Sequence, residues 1–444
     1  MDAGNLYWKS ARLTADELPQ QQEKARLMAA ALSSEGSGGM DAMLLAEGDV
    51  AVGLVLVKEL ASKYALPYVA SNLDCGDGFP AKDKVITRGG ATIGVLGVVD
   101  DRGQFPGCTA SDPQAAVRAG LERLRSEGAK VVVLLDALPD SASAGLAAAV
   151  PGVDLVVGGT SQPLQSPLPL PGGGLRLGAG TRGRSVGVLT WSLVDGATAW
   201  REDSTLGRLA SQRDAFRQKV DEAKAQRDAT AGETERTVAE RRTEYYQKEL
   251  DEVSAQLEQA SGAAERAHAA HNNLVTLDTA VADDPVVQAL VDAAKDRIAA
   301  LAVQAAVGKP LVGPYVGSQA CASCHPGPTG QWKSTPHANA YASLIAKKRQ
   351  FDQACFSCHV TGAVAVGGGE VLGPTHPNQV GALSNVGCES CHGPGSAHVK
   401  APTTPMAMPT AATCVTCHDK TQDDGRFDYA SYLPKIIHGI PSPR

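Results

Sequence analysis

The chain has 444 residues, a formal net charge of −7 and 4% aromatic residues. A chain of this length predicts two or three domains. Its acidic balance, without a basic block, excludes the electrostatic footprint of a nucleic-acid-binding protein. No apolar run reaches the ~18 residues that predict a transmembrane helix. So few aromatic residues predict that something besides side chains fills part of the interior.

The first region, residues 1–205, alternates amphipathic stretches with short apolar, β-branched runs. Such runs, bounded by Gly and Pro, are typical of buried strands, and the amphipathic stretches are typical of helices. In chain order the pattern predicts a helix at 16–33, a strand at 91–100, a helix at 112–127, and strands at 130–137, 153–159 and 185–194. This alternation predicts an α/β layered domain.

Two of the ten cysteines, Cys75 and Cys108, lie in this first region. In an oxidising compartment such a pair can form a disulfide, whereas in a reducing one the two remain buried thiols. The sequence leaves both interpretations open.

The second region, residues 206–307, is rich in Ala, Glu, Lys, Arg and Gln. This composition predicts long helices, and the interruption at Thr230-Ala231-Gly232 predicts an antiparallel hairpin. The apolar positions do not keep a strict heptad, so a spacer or docking arm is favoured over a regular coiled coil. The arm offers a surface for a homo-oligomer. A further helix is predicted from Pro285 to about residue 306.

Two histidines of this second region, His268 and His271, stand three residues apart. That spacing predicts one solvated helix face. A lateral contact with a metal or a haem is the alternative.

The last region, residues 311–444, is loop-rich and contains four Cys-x-x-Cys-His motifs. Two thiols at this spacing add to the two vinyl groups of one haem, and the following histidine binds its iron. Clusters of Cys and His also bind zinc, but zinc sites rarely place a histidine directly after every cysteine pair. The motifs therefore predict four c-type haems, whose porphyrins would supply the missing apolar core. They are Cys321-x-x-Cys324-His325, Cys355-x-x-Cys358-His359, Cys388-x-x-Cys391-His392 and Cys414-x-x-Cys417-His418.

Four more histidines lie outside the motifs of this region: His337, His376, His398 and His438. Four irons and four spare histidines fit bis-histidine ligation at every haem, which suits electron transfer because no site is left for a substrate. His376 stands in a Gly-rich loop. If it is not a ligand, one iron is open, and ligand chemistry becomes available there. Met406 and Met408 are the alternative axial ligands.

Four segments carry a resemblance to a known family: YVGSQACASCHPGPTGQWKSTPHANAYASL, CFSCHVTG, VGCESCHGPGSAHV and FDYASYLPKIIH. They resemble the tetrahaem cytochrome c family whose type member takes electrons from hydroxylamine oxidation. The resemblance covers nearly all of 314–440 and implies distal-ligand roles for His337 and His398. That family also includes a member with one five-coordinate haem.

Haem is attached to such motifs where an export system delivers both chain and cofactor. The motifs therefore predict a periplasmic, extracellular or cell-surface location. Met1 is followed at once by Asp2-Ala3-Gly4, with neither the basic nor the apolar segment of a signal peptide. We accordingly expect the true N-terminus to be missing from this sequence.

The first region also resembles a known family. DAGNLYW, AEGDVAVG, YVASNLD, GATIGVLGVVD, VPGVDLVVGGTSQP and RGRSVGVLTWSL are similar in order and spacing to the metallophosphoesterase domain of periplasmic nucleotidases. In that family two metal ions activate a water against a phosphate ester. Its metal-binding Asp, Asn-His and His positions fall here on Asn5, on Glu47 and Gly48, and on Thr160.

These replacements, and the absence of any histidine before His268, imply a degenerate sandwich that has lost phosphoesterase activity. Asp49, Asp136 and Asp154 are then expected to be structural carboxylates, with binding of a single cation as the alternative.

The sequence as a whole predicts a multidomain protein: a metallophosphoesterase-like α/β domain at 1–205, a helical spacer at 206–307 and a tetrahaem module at 311–444. The favoured function is electron transfer between a donor and an acceptor protein. The first alternative is a haem oxidoreductase that acts on a small nitrogen or sulfur species at one open iron. The second is a metal-dependent nucleotidase.

Overall fold

The computed structural model describes residues 1–8, 13, 17–33, 39–100, 103–158, 163–164, 166–264, 266–305, 313–363, 371–423 and 426–438. The chain forms two compact units, residues 1–13 with 28–284 and residues 14–27 with 285–444. Helix α1 (Leu18–Ala31) is divided between them at residue 27. No helix in the described part of the chain is long and apolar enough to cross a membrane.

The first unit alternates strands with helices. Its strands are β1 (Met43–Leu44), β2 (Tyr68–Val69), β3 (Leu73–Asp74), β4 (Asp83–Arg88), β5 (Ala91–Val99), β6 (Thr109–Ala110), β7 (Val131–Ala137), β8 (Leu155–Gly158), β9 (Leu168–Pro169), β10 (Leu175–Leu177), β11 (Ser185–Ser192), β12 (Ala199–Glu202) and β13 (Ala267–Thr276). Its helices after α1 are α2 (Glu47–Val50), α3 (Leu54–Tyr64), α4 (Pro113–Ser126), α5 (Asp140–Ala149), α6 (Ser204–Ala229) and α7 (Glu233–Ala264).

The largest sheet among the described residues has the strand order β4-β5-β7-β8-β10-β9. Strands β5, β7, β8 and β10 run parallel, and β4 and β9 are antiparallel at the edges. Parallel neighbours need a crossover connection, which α4 provides between β5 and β7 and α5 between β7 and β8. Residues 131–136 of β7 are all buried, as expected for a central parallel strand. The predicted α/β architecture is confirmed.

The core between α4 and the sheet requires glycine at two facing positions. Leu124 and Leu96 are fully buried there. A Cβ on Gly94 would lie 2.7 Å from Leu124 Cδ1, and one on Gly120 would lie 2.5 Å from Leu96 Cδ2. Helix and strand therefore approach so closely that each leucine fills the space above a glycine. A leucine buried in this way contributes about 2 kcal/mol.

The long helices form the predicted hairpin. Helix α6 ends at Ala229 and α7 begins at Glu233, and the two helices pack against each other. The break therefore falls at Thr230-Ala231-Gly232, as the composition indicates.

Strand β13 is a correction to the sequence analysis, which predicted helix around His268 and His271. Eight residues of β13 pair antiparallel with β11, and four pair in parallel with β12. This hydrogen bonding overrides the weak strand preference of an Ala-rich segment. Because side chains alternate along a strand, the two histidines point to opposite faces.

The two histidines of β13 accordingly have different surroundings. His268 is buried, its Nδ1 accepts a hydrogen bond from the N–H of Val194 at 3.0 Å, and its ring lies 4.8 Å from that of Trp200. His271 Nδ1 lies 3.4 Å from Glu202 Oε1. The solvated helix face predicted for the pair is therefore wrong.

The second unit is built mostly from short helices, together with one helix of 21 residues. They are α8 (Pro285–Ala305), α9 (Ser318–Cys321), α10 (Pro326–Lys333), α11 (Ala340–Ala346), α12 (Gln353–His359), α13 (Cys388–His392), α14 (Ser396–Lys400), α15 (Ala411–Cys414), α16 (Lys420–Asp423) and α17 (Tyr429–Tyr432). Short 3-10 turns lie at Pro336–Asn339, Pro377–Gln379, Gly381–Leu383 and Leu433–Lys435. A small apolar cluster of Phe356, Val360, Ala363 and Val380 packs with Tyr341.

The two compact units divide the chain differently from the predicted domains 1–205, 206–307 and 311–444. The α6–α7 hairpin stands between β12 and β13, which pair in one sheet, so it belongs to the first unit. Helix α8 and the first part of α1 belong to the second unit.

Two glycines give a matched test of the packing in the first unit. Replacing Gly94 by Ala is expected to lower the free energy of unfolding by about 1–3 kcal/mol, because the new methyl group overpacks Leu124. Gly145 in α5 has nothing within 4 Å of its missing Cβ. Gly145→Ala is therefore expected to raise stability by up to about 1 kcal/mol through helix propensity. Denaturant unfolding followed by circular dichroism measures both, and equal effects would contradict the packing described.

Candidate functional site

The four Cys-x-x-Cys-His motifs all begin on or next to a helical turn. Helices α12 and α13 contain a whole motif, whereas α9 and α15 end at Cys321 and Cys414. Helical residues three apart lie on the same side, so the two thiols of a motif face one way. The eight motif cysteines form no disulfide with one another. Cys75 and Cys108, in contrast, form a disulfide.

Three motif histidines each lie opposite one of the spare histidines. The ring centres are 6.1 Å apart for His325 and His398, 6.1 Å for His418 and His337, and 5.8 Å for His392 and His438. Two imidazoles that share one metal, each with a bond of about 2 Å, place their ring centres roughly 6 Å apart. The three gaps therefore fit an iron.

Backbone carbonyls orient several of these rings. His359 Nδ1 lies 2.7 Å from the oxygen of Ala340, His392 Nδ1 lies 2.9 Å from that of Ala407, and His398 Nδ1 lies 2.8 Å from that of Thr404. A carbonyl only accepts, so Nδ1 carries the proton and Nε2 is left for a metal. Burial, reinforced by His418, lowers the pKa of His337 and so favours the neutral form of its ring.

His376 is buried at the start of the turn Pro377–Gln379. The side chain of Gln379 accepts hydrogen bonds from the N–H groups of Thr375 and His376, at 2.9 and 3.1 Å. The side chain of Gln379 therefore holds the loop in place on the C-terminal side of His376. Part of the preceding Gly-rich segment, residues 364–370, lies outside the described residues.

Thiols of different motifs contact one another. Cys321 is hydrogen-bonded to Cys388, and Cys358 to Cys417. Burial, and then the neighbouring Cys414, raises the pKa of Cys391 to about 11. The first motif therefore neighbours the third, the third neighbours the fourth, and the fourth neighbours the second.

A buried carboxylate inside the third motif holds these segments together. Glu389 is 1% exposed. It accepts hydrogen bonds from the N–H groups of Val316, Gly317 and Gly395 at 2.7–3.1 Å. Those residues lead into the first motif and into the helix of His398. The sequence analysis missed Glu389, although an acidic residue between the two cysteines of a motif is a visible signal.

The first unit retains a cavity where the metallophosphoesterase resemblance places its metals. The cavity measures about 310 Å³ and is lined by Asn5, Ala46, Glu47, Val99, Asp100, Gln104, Phe105, Ala137, Leu138 and Pro139. Gly48 has no room for a side chain, because a Cβ there would overlap the carbonyl of Trp8. Thr160 lies outside the described residues. The described residues contain no group of three or more His, Cys, Asp or Glu that could hold a metal ion.

The three aspartates of this unit make structural hydrogen bonds. Asp49 accepts from the N–H groups of Asn5, Leu6, Tyr7 and Ala46; burial nevertheless raises its pKa to about 7. Asp136 binds the N–H of Leu138 and the hydroxyl of Ser143. Asp154 binds Arg125, the N–H of Val132 and the indole of Trp200. The prediction of structural carboxylates agrees with these contacts.

Comparison with known proteins supports the C-terminal resemblance. Residues 320–393 match the family model described as cytochrome c554 and c-prime, and residues 381–423 match the doubled CXXCH motif. Cytochrome c-554 of Nitrosomonas europaea is 37% identical over 97 residues, 18% of this chain and 39% of that protein. The C-type polyheme cytochrome OmcB of Geobacter sulfurreducens is 36% identical over 70 residues, 16% of this chain and 9% of OmcB. The chain thus spans well under two thirds of either relative.

These matches confirm the predicted resemblance of the C-terminal region to multihaem c-type cytochromes, which carry covalently bound haem iron. Electron transfer is the activity that this resemblance supports.

The solved structures that are similar to this chain match it with low TM-scores and low sequence identity. The sulfate thiohydrolase SoxB of Thermus thermophilus has a TM-score of 0.36 and 19% identity, over 44% of this chain and 36% of SoxB. A 5'-nucleotidase precursor, also from Thermus thermophilus, has a TM-score of 0.31 and 21% identity, over 34% of this chain and 36% of that one. The second is of the nucleotidase type that the N-terminal motifs resemble. Likenesses at this level say nothing of activity.

Replacing Glu389 by Gln tests the buried carboxylate. The variant keeps the shape but loses the charge that three N–H groups share, so the free energy of unfolding is expected to fall by about 1.5–3 kcal/mol. The control is Asp428→Asn, the same change at an exposed helix cap that accepts from Ser431, where little loss is expected because Asn caps a helix about as well as Asp. Denaturant unfolding of the haem-loaded proteins measures both. A control as unstable as the Glu389 variant would contradict the role given to Glu389.

Proposed function

We propose that residues 311–444 carry four c-type haems and transfer electrons between protein partners outside the cytoplasm. The observation that supports this best is the set of three histidine pairs with ring centres 5.8–6.1 Å apart. Each pair joins one motif histidine to one spare histidine. Chance surface histidines have no reason to pair in this way.

The proposed ligands follow from the pairs. The haem of the first motif takes His325 and His398, the haem of the third His392 and His438, and the haem of the fourth His418 and His337. His359 and, by elimination, His376 are proposed for the second. The bound iron supplies one-electron chemistry. The cysteines would attach the porphyrins, and the backbone carbonyls that accept from His359, His392 and His398 would fix those three imidazoles.

The contacts between motifs support a line of sites in the order first, third, fourth, second. Cys321 with Cys388, Cys391 with Cys414, and Cys358 with Cys417 are the successive neighbours. We propose that the donor and the acceptor proteins dock at opposite ends of this line. Attachment of haem to exported chains favours the periplasm or the cell surface.

A second candidate function is supported by a cavity beside the second motif. The cavity measures about 350 Å³ and is lined by Tyr341, Ala342, Ile345, Pro377, Val380, Gly381, Ser384 and Asn385. It adjoins the turn that starts at His376. If His376 does not bind the iron, a small nitrogen or sulfur species could be reduced or oxidised there.

Haem content and carbon monoxide binding separate the two functions. Mass spectrometry of the loaded chain is expected to show four attached haems. The absorbance bands of the reduced protein are expected not to move under carbon monoxide, because two imidazoles hold each iron. A shift worth one haem in four would favour the oxidoreductase instead. Fewer than four haems would contradict the proposal outright.

Replacing single histidines tests the ligand assignment. His398→Ala is expected to open one iron, so that carbon monoxide shifts about a quarter of the haem absorbance. His376→Ala is expected to do the same if His376 is a ligand and to change nothing if it is not. His268→Ala, outside the cytochrome region, is the control. A His398→Ala protein that ignores carbon monoxide would contradict the pairing of His325 with His398.

A further inference from the structure

Helix α1 contributes side chains to the segment that precedes the second motif. Lys24 Nζ lies 2.7 Å from Asp352 Oδ1, and the Asp352 side chain is 7% exposed. Asp352 is the N-cap of α12, the helix that carries Cys355, Cys358 and His359. These residues belong to one compact unit, although more than 300 positions separate them in sequence.

A second side chain of α1 fixes the same segment. The amide of Gln20 donates to the carbonyl of Phe351 at 2.9 Å and accepts from the N–H of Gln353 at 3.0 Å. These are the peptide groups on either side of Asp352. Gln20 and Lys24 are four residues apart, so they lie on one face of the helix. That face therefore holds both the backbone and the carboxylate at the start of α12.

Helix α1 is itself fixed within this unit. Glu23 of α1 accepts a hydrogen bond from Arg297 of α8 at 2.6 Å, and this contact joins the two helices. This contact fixes the part of the backbone from which the Lys24 side chain reaches Asp352.

The charges around Asp352 are unequal. Lys24 and Arg349 both bind its carboxylate, Arg349 at 2.8 Å, so two positive charges face one negative charge. Arg349 is 49% exposed at its side chain, whereas Lys24 is 22% exposed. Water screens the charge of an exposed group more than that of a buried one. The charge of Lys24 is therefore the less screened of the two positive charges that face Asp352 at the start of α12.

We propose that Lys24 is a positioning residue that acts through Asp352 on the second haem motif and raises the reduction potential of the haem attached there. The inference rests on the proposed function, because it requires a haem on Cys355 and Cys358. A positive charge near an iron disfavours the ferric state, which carries one positive charge more than the ferrous state. The family match begins at residue 320, so it assigns no role to α1.

The test compares three variants of the full, haem-loaded chain. Lys24→Met removes the charge and keeps the aliphatic stem. Lys24→Arg keeps the charge. Arg26→Met removes a charge from the same helix, two residues away from Lys24. The carboxylate partner of Arg26 is Glu23. Mass spectrometry of the cysteine-containing peptides is done first, and four haems in every protein are the condition for going on. A wild-type chain without haem on Cys355 and Cys358 would refute the proposed function rather than the role of Lys24.

A spectroscopic redox titration then measures the reduction potentials of the haems. In Lys24→Met, about one quarter of the haem absorbance change is expected to move to a lower potential, while the rest stays in place. Lys24→Arg and Arg26→Met are expected to follow the wild-type curve. Equal curves for Lys24→Met and Arg26→Met would overturn the proposal. So would a shift of all four haems together, because it would indicate a general loss of structure.

Discussion

The C-terminal region that resembles multihaem cytochromes packs around one buried carboxylate, Glu389. Glu389 has lost nearly all its contact with water, and a carboxylate in that position is stable only if donors surround it. The backbone N–H groups of Val316, Gly317 and Gly395 provide them. Because they come from separate segments, satisfying one side chain brings the third motif, the approach to the first motif and the helix of His398 together. A loop-rich chain with few apolar side chains thereby acquires a defined core geometry.

The sequence predicted the features that depend on neighbouring residues. The strands 91–100 and 130–137 are apolar runs, the helix break at Thr230-Ala231-Gly232 is a local interruption, and a motif of five residues carries its own haem chemistry. The sequence did not predict strand β13, because its hydrogen bonds with β11 outweigh the helical preference of its own residues. Which spare histidine faces which motif was equally out of reach, since that depends on distances through space. The same holds for α1, whose partner Asp352 lies more than 300 residues away.

The first unit combines a largely parallel sheet with a cavity whose neighbouring acids make hydrogen bonds within the fold. The central parallel strands are intact, and a cavity still lies beside Asn5 and Glu47. The nearby acids, however, use their oxygens for the backbone: Asp49 alone binds four N–H groups. At Gly48 the backbone carbonyl of Trp8 occupies the space that a side chain would need. These hydrogen bonds and the close packing at Gly48 stabilise the fold around the cavity.

The contacts between motif thiols have a consequence for the biogenesis of the protein. Cys321 touches Cys388, and Cys358 touches Cys417, while Cys75 and Cys108 are joined in a disulfide. The compartment that oxidises the latter pair also permits a disulfide between the thiols of each contacting pair. Each such disulfide would occupy one cysteine in each of two motifs. If these eight cysteines carry haem as proposed, attachment has to precede the packing of the motifs, and their thiols need protection until the cofactor is bound.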